Sequence, residues 1–240
     1  MLIPLTRQKF EQLIPLTATG PQYKYCWGKF SDFLRRLLFS VVGAAIALVA
    51  NNFVGKGLGA LTLVVGSAAG FYWLWGPVFW ATLKNIESRK YAYSGFWRGR
   101  VTDVFVTEEL IGQEETVNKR GELVIVENRE RRLNLEVGDK LGFSTRLQVP
   151  LKRDHQAIVR GQPAEMLLMS YQADLGRVAK TSDIYIPSQN IWVSDYPCLQ
   201  RDTFVEVSRE LRGQNTERQS ERKSNSRRPA RRKREALDRE

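Results

Sequence analysis

Apolar residues follow two different patterns along this chain, and each predicts a different kind of element. From Leu37 to Leu83 only one residue is charged, Lys56, and it lies in the polar, glycine-rich stretch Asn51-Asn52-Phe53-Val54-Gly55-Lys56-Gly57-Leu58-Gly59. The apolar runs on either side approach the ~20 residues that a helix rising ~1.5 Å per residue needs to cross a ~30 Å hydrocarbon core. The pattern predicts two transmembrane helices, over 37–54 and 58–80, joined by a short turn. A buried hairpin in a water-soluble protein would need a covering layer of amphipathic helices, which the neighbouring sequence does not offer.

Beyond residue 90 the runs become short and alternate with polar positions. Val101, Val104 and Val106 are followed by Glu122–Val126, a polar Glu127-Asn128-Arg129-Glu130 turn, and Leu133, Leu135 and Val137 in period two. This is a hairpin signal. Further short strands are expected at Leu147–Leu151, Ala157–Arg160, Met166–Met169, Ile184–Ile186, Ile191–Val193 and Phe204–Val207. The fold class expected is therefore a membrane α-helical hairpin plus a mainly-β domain over 91–210, a small antiparallel sheet or barrel. The first 36 residues form a separate segment in which Arg7–Leu13, with Thr6 as N-cap and Phe10 and Leu13 on one face, predicts a short interfacial helix. Residues 211–240 read as a disordered basic tail.

Small residues recur inside the two apolar runs. Ser40, Gly43, Ala44 and Ala47 lie in the first, and Gly59, Gly66, Ala69 and Gly70 in the second. They let the two helices pack closely, and Gly66-Ser67-Ala68-Ala69-Gly70 equally allows docking of a helix from another protein. Gly43, Ala47, Gly66 and Gly70 are the candidate packing and docking positions. Aromatic residues, Trp27 before the first run and Trp73, Trp75 and Trp80 closing the second, predict one interface belt.

Charge then sets orientation. The net charge of +11 is distributed as +4 over 1–36, +1 over 37–83, zero over 84–211 and +6 over 212–240. Lys24, Lys29, Arg35 and Arg36 precede the first run, and Lys84, Arg89 and Lys90 follow the second, so both termini are expected on the cytoplasmic side. A neutral β-domain argues against a basic recognition face. The tail, with Arg227-Arg228-Pro229-Ala230-Arg231-Arg232-Lys233-Arg234, suits anionic lipid or an acidic partner, and the absence of interleaved aromatics argues against nucleic acid.

Chemistry is sparse. Cys26 and Cys198 are isolated, His155 is the single histidine, and no zinc spacing occurs. The start lacks the pattern of a cleavable signal peptide. Asp139, Asp154, Asp174, Asp183 and Asp195 sit in expected turns, where aspartate serves as cap or turn former. No nucleophile motif accompanies Asp154-His155, and Gly55–Gly59 matches no phosphate-binding loop. The reading is of a non-enzymatic protein without cofactor or metal.

Several strings resemble a known family. They are Ile3-Pro4-Leu5-Thr6, Phe10-Glu11-Gln12-Leu13-Ile14-Pro15, Ala18-Thr19-Gly20-Pro21-Gln22-Tyr23, Trp27-Gly28-Lys29, Asp32–Leu38, Ala164-Glu165-Met166-Leu167 and Ile186–Pro197. Together they are similar to a family of two-span thylakoid membrane proteins of cyanobacteria and chloroplasts, over about residues 2–208. Members are often labelled phosphate-transporter permease, and plant relatives are connected with photosystem I assembly. The resemblance implies a multi-pass thylakoid protein that helps assemble or stabilise photosynthetic complexes, photosystem I foremost, with photosystem subunits or assembly intermediates as partners. The alternatives are a transport subunit and a membrane-anchored ligand-binding domain. Two uncharged spans are a poor transport path, because permeases line theirs with several helices and polar groups.

Overall fold

The computed structural model describes residues 1–53, 59–117, 121 and 123–213. The expected turn around Lys56 and the expected tail from residue 214 onward lie outside the described residues. The chain divides into two units, 1–199 and 200–240.

The first unit is built on one antiparallel sheet. Strand β1 (Leu2–Leu5) precedes helices α1 (Arg7–Leu13), α2 (Gly20–Trp27), α3 (Phe30–Phe53), α4 (Gly59–Gly70) and α5 (Tyr72–Arg89). Seven strands follow: β2 (Tyr93–Val117), β3 (Leu123–Gly138), β4 (Ser144–Pro150), β5 (Pro163–Ser170), β6 (Lys180–Thr181), β7 (Ile184–Ile186) and β8 (Ile191–Val193). The main order is β4-β3-β2-β5-β7-β8, with β1 paired to β2 and β6 paired to β5. The mainly-β character expected from the alternating pattern is present. One core gathers Trp97, Val101, Leu133, Leu135, Val137, Met166, Leu168, Ile184, Ile186 and Val193. Strand β5 is buried from Ala164 to Ser170 without alternation, so both of its faces are covered.

Helix α1 occupies the expected residues, and the Thr6 side chain accepts a hydrogen bond from the Lys9 N–H. Its apolar face is not free for a membrane interface, because Phe10 and Leu13 are buried inside the protein. The preceding Leu2–Leu5 stretch is a strand, in register with Ser94–Trp97 of β2.

Three strand expectations are corrected. Glu127–Glu130 is not a turn; it lies within β3, paired to β2 from Leu110 to Gln113 around an extra residue, Ile111. Polar residues are tolerated there because, among the described residues, β2 and β3 pair only with each other outward from Glu108 and Arg131 and form a two-stranded ribbon. Ala157–Arg160 follows a 3-10 turn at Arg153–Ala157 instead of forming a strand. Residues 201–213, which include Phe204–Val207, form a helix in the second unit.

The apolar segment also departs from two straight spans. Among the described residues one helix is long and apolar enough to cross a membrane, Phe30–Asn52, and 6 % of its apolar window is buried within the protein. The expected second span over 58–80 is two helices, α4 and α5, bent by 76° at a break. At the break Phe71 leaves helical geometry, with φ −95° and ψ 10°. The 12-residue α4 covers only ~18 Å.

Candidate functional site

Two features of the first unit carry functional potential: the corner where the apolar helices meet the β-domain, and the ribbon. The corner starts from a seam of small residues. A Cβ built on Gly66 would lie 3.0 Å from the Ala47 Cβ, one on Gly43 3.1 Å from the Ala69 Cβ, and one on Gly70 3.7 Å from the Ala44 Cβ. The four expected packing positions thus all lie on the α3–α4 seam, Gly66 against Ala47, Gly43 against Ala69 and Gly70 against Ala44, and Gly66 and Gly70 are used for packing within the chain. The outward faces remain apolar and exposed, with Leu38, Val42, Ile46 and Val49 on α3 and Leu61, Val64 and Val65 on α4.

Aromatic residues close the corner. The Trp27 ring stacks on Phe33 with centroids 5.5 Å apart and meets Trp73 edge-on at 6.4 Å. Trp75 and Trp80 lie in a second chain, Tyr72–Trp75–Phe79–Trp80, with successive centroids 5.2, 5.9 and 5.7 Å apart. The four tryptophans expected in one belt therefore fall into two groups.

Two backbone groups at the bend are satisfied by side chains. The buried Ser40 hydroxyl of α3 accepts the Trp73 N–H at 2.9 Å, and the Trp75 indole N–H donates to the Ala68 carbonyl at 2.8 Å. Helix ends leave such groups without intrahelical partners, and an apolar setting makes each costly to leave bare.

A polar joint fastens α2 and α5 to the β-domain. The Gln22 and Asn85 side chains, both wholly buried, exchange two hydrogen bonds of 2.9 Å. Gln22 Oε1 also accepts the Thr19 N–H, and Asn85 Oδ1 also accepts the Tyr196 hydroxyl at 3.2 Å. Burial, then the neighbouring Cys26 and Cys198, push the Tyr196 phenol well above its ordinary range, so it stays protonated as the donor. Beneath it, the buried Asp183 accepts from the Cys198 N–H at 3.0 Å and the thiol at 3.3 Å. Burial pushes that thiol up, so Cys198 is an inert thiol rather than a nucleophile.

The flanking basic residues have divided roles. Arg36 donates to the Cys26 and Trp27 carbonyls at 2.8 and 2.5 Å, capping the end of α2, and lies over the Trp27 ring. Lys84 points its ammonium at the rings of Tyr25 and Tyr196, 4.9 and 4.7 Å from their centroids. Arg89 donates to the Glu11 carbonyl at 3.0 Å. Lys24, Lys29, Arg35 and Lys90 are exposed. Sequence reasoning missed Gln22 and Asn85 as a pair. The one local signal was the capping box of α2, in which Thr19 and Gln22 satisfy each other.

The ribbon carries exposed Leu110, Ile111, Val117, Leu123, Ile125 and Val126. Cross-strand ion pairs Arg131–Glu108 (3.4 Å) and Arg132–Glu109 (2.7 Å) hold its base.

Of the aspartates, Asp139 and Asp174 accept backbone N–H groups within their own turns, from Leu141 and Gly176. Asp139 borders an open cleft of about 920 Å³ and accepts the Trp97 indole N–H at 2.9 Å. Burial acts to raise its pKa, but the Leu141 N–H, the Trp97 indole and the Met1 ammonium at 3.3 Å outweigh it and hold the carboxyl below its ordinary value. His155 is buried, and its Nδ1 accepts the Lys152 N–H at 3.3 Å. Among the described residues no group of three or more His, Cys, Asp or Glu is placed to hold a metal ion.

No curated protein and no solved structure matches the chain. Residues 3–220 match a family of unknown function, DUF8619, so the match takes in the apolar helices, the corner and the whole sheet, and the chain belongs to that family.

Proposed function

We propose that this protein is an integral thylakoid membrane protein that acts without catalysis as an assembly or stabilising factor for photosynthetic complexes, photosystem I foremost. Helices α3 and α4 insert as a hairpin, and the β-domain stands on the cytoplasmic side, an orientation that the positive flanks support. The observation that carries an assembly role is the ribbon. It extends two paired strands past every other strand of the sheet and bears apolar side chains on them, an arrangement that suits protein docking. The exposed apolar faces of α3 and α4 support membrane insertion, since a core helix would be mostly covered. The resemblance of the Ile3–Thr6, Asp32–Leu38 and Ile186–Pro197 strings supports the thylakoid setting.

The test is a strain in which residues 110–129 are replaced by a two-residue turn, beside a full deletion. The expected result is lower photosystem I accumulation in both and loss of co-migration with assembly intermediates in the ribbon variant. Normal accumulation in the full deletion, or altered phosphate uptake as its sole phenotype, would overturn the proposal in favour of transport.

A further inference from the structure

A helix packed on a water-soluble domain normally buries its apolar side and shows water its polar side. Helix α5 does the opposite. Its buried positions are Gly76, Pro77, Ala81, Asn85 and Ser88, small or polar residues facing the protein. Phe71 at its start and Trp75, Phe79, Leu83 and Ile86 along it follow one another at helical spacing. They are 59 %, 41 %, 46 %, 41 % and 41 % exposed respectively. Such a stripe needs an apolar environment along the full length of the helix.

The direction of α5 identifies that environment. With α4 lying along α3 across the small-residue seam and the bend set at 76°, α5 runs closer to the membrane plane than to its normal when the hairpin is inserted. The bend is a built corner, because Ser40 and Trp75 satisfy two backbone groups there. The stripe begins at Phe71, directly after the apolar, exposed α4, and Lys90 at the far end of the helix is exposed to meet phosphate headgroups.

We infer that α5 is an in-plane interfacial anchor, seated with its Phe71/Trp75/Phe79/Leu83/Ile86 stripe in the boundary between headgroups and acyl chains. This inference rests on membrane insertion of the α3–α4 hairpin. It replaces a second straight span with a short inserted helix and a surface-lying one. It also fixes the β-domain at the bilayer surface, because α5 is locked to it through Asn85.

Depth measurement on the full chain tests it. Variants with one added cysteine in a Cys26→Ala background, where the remaining Cys198 is buried away from the label, at Phe71, Phe79, Leu83 and Ile86 along the α5 stripe and at Val42, Ile46 and Val49 on α3, are spin-labelled and reconstituted in phosphatidylcholine/phosphatidylglycerol vesicles. Depth is read from the ratio of oxygen to water-soluble nickel collisions. The expected result is one shallow depth shared by the α5 labels and depth increasing along α3 by ~1.5 Å per residue. A steady depth gradient along α5 would overturn the inference in favour of a span. Water-exposed α5 labels beside lipid-exposed α3 labels would overturn it in favour of a protein-docking face. Water exposure at α3 as well would remove membrane insertion itself, a distinguishable failure. Where a labelled variant aggregates, Thr82 on the same face takes its place.

Discussion

Gln22 and Asn85, 63 residues apart in sequence, present complementary amides to each other through two reciprocal hydrogen bonds of 2.9 Å in a fully buried site. Each amide also has a further partner, so the pair has little capacity left unmet. The pair joins the helix before the apolar segment to the helix that closes it, and both to Tyr196 of the β-domain.

Removing one member leaves the other buried without its partner. Asn85→Leu is expected to destabilise the protein by about 1–3 kcal/mol, and Gln22→Leu/Asn85→Leu by less than the sum of the single variants. Urea unfolding of the full chain in detergent measures the coupling; strictly additive losses would mean that the two amides act independently.

The seam makes a steric prediction. Gly66→Leu places a branched side chain where a Cβ alone already stands 3.0 Å from Ala47. The expected cost is about 1–3 kcal/mol, read as a lower melting temperature in detergent, while Leu61→Ala on the exposed face has little effect. An unchanged melt for Gly66→Leu would exclude close α3–α4 packing.

Asp139 predicts a pH dependence whose sign follows from its depressed pKa. A carboxylate held below its unfolded value contributes stability above about pH 4 and loses it as pH falls through the folded value. The stability gap between wild type and Asp139→Asn should therefore be full at pH 7 and close under acid. A gap independent of pH would show that the carboxylate charge is immaterial.

His155 has the opposite chemistry and the same direction of effect. Burial, then Lys152, lowers its pKa, with Asp154 opposing. The unfolded chain then takes up the proton first, and stability declines as pH falls from about 6.5 to the folded value. His155→Gln should lack that component. As the chain has one histidine, its imidazole resonance reports the folded pKa directly, and a value at or above 6.5 would contradict the burial argument.

The ribbon should be dispensable for folding. Replacing 110–129 by a turn is expected to leave the thermal midpoint of the full chain unchanged, because among the described residues the two strands pair with no third strand outward of Glu108 and Arg131, and the Glu109–Gln148 contact with β4 is kept. A large drop would make the ribbon structural and weaken its role in docking.

Much of the local structure was legible in the chain. The apolar run from Leu37 marked the α3 segment, Thr6 marked the start of α1, and the apolar runs near 166–169, 184–186 and 191–193 marked β5, β7 and β8. Period and capping are local properties, carried by residues a few positions apart. The ribbon was misread because the polar run Glu127–Glu130 carries a turn signal, and only pairing with Leu110–Gln113 keeps it extended. The Gln22–Asn85 pair was invisible for the same reason, since an amide's partner 63 residues away leaves no mark on spacing.

By itself, the sequence determined which residues avoid water: one long apolar segment, an alternating domain and a set of small residues able to sit close together. Tertiary structure alone decided how that segment is used. Seen as composition, Leu58 to Trp80 is one span. In the fold Ser40 and Trp75 satisfy two backbone groups at a corner after Gly70, and Asn85 ties the following helix to the β-domain. Hydrophobicity depends on each residue in turn, whereas direction depends on which distant group satisfies a freed N–H or carbonyl, and that is settled only when the chain has closed on itself.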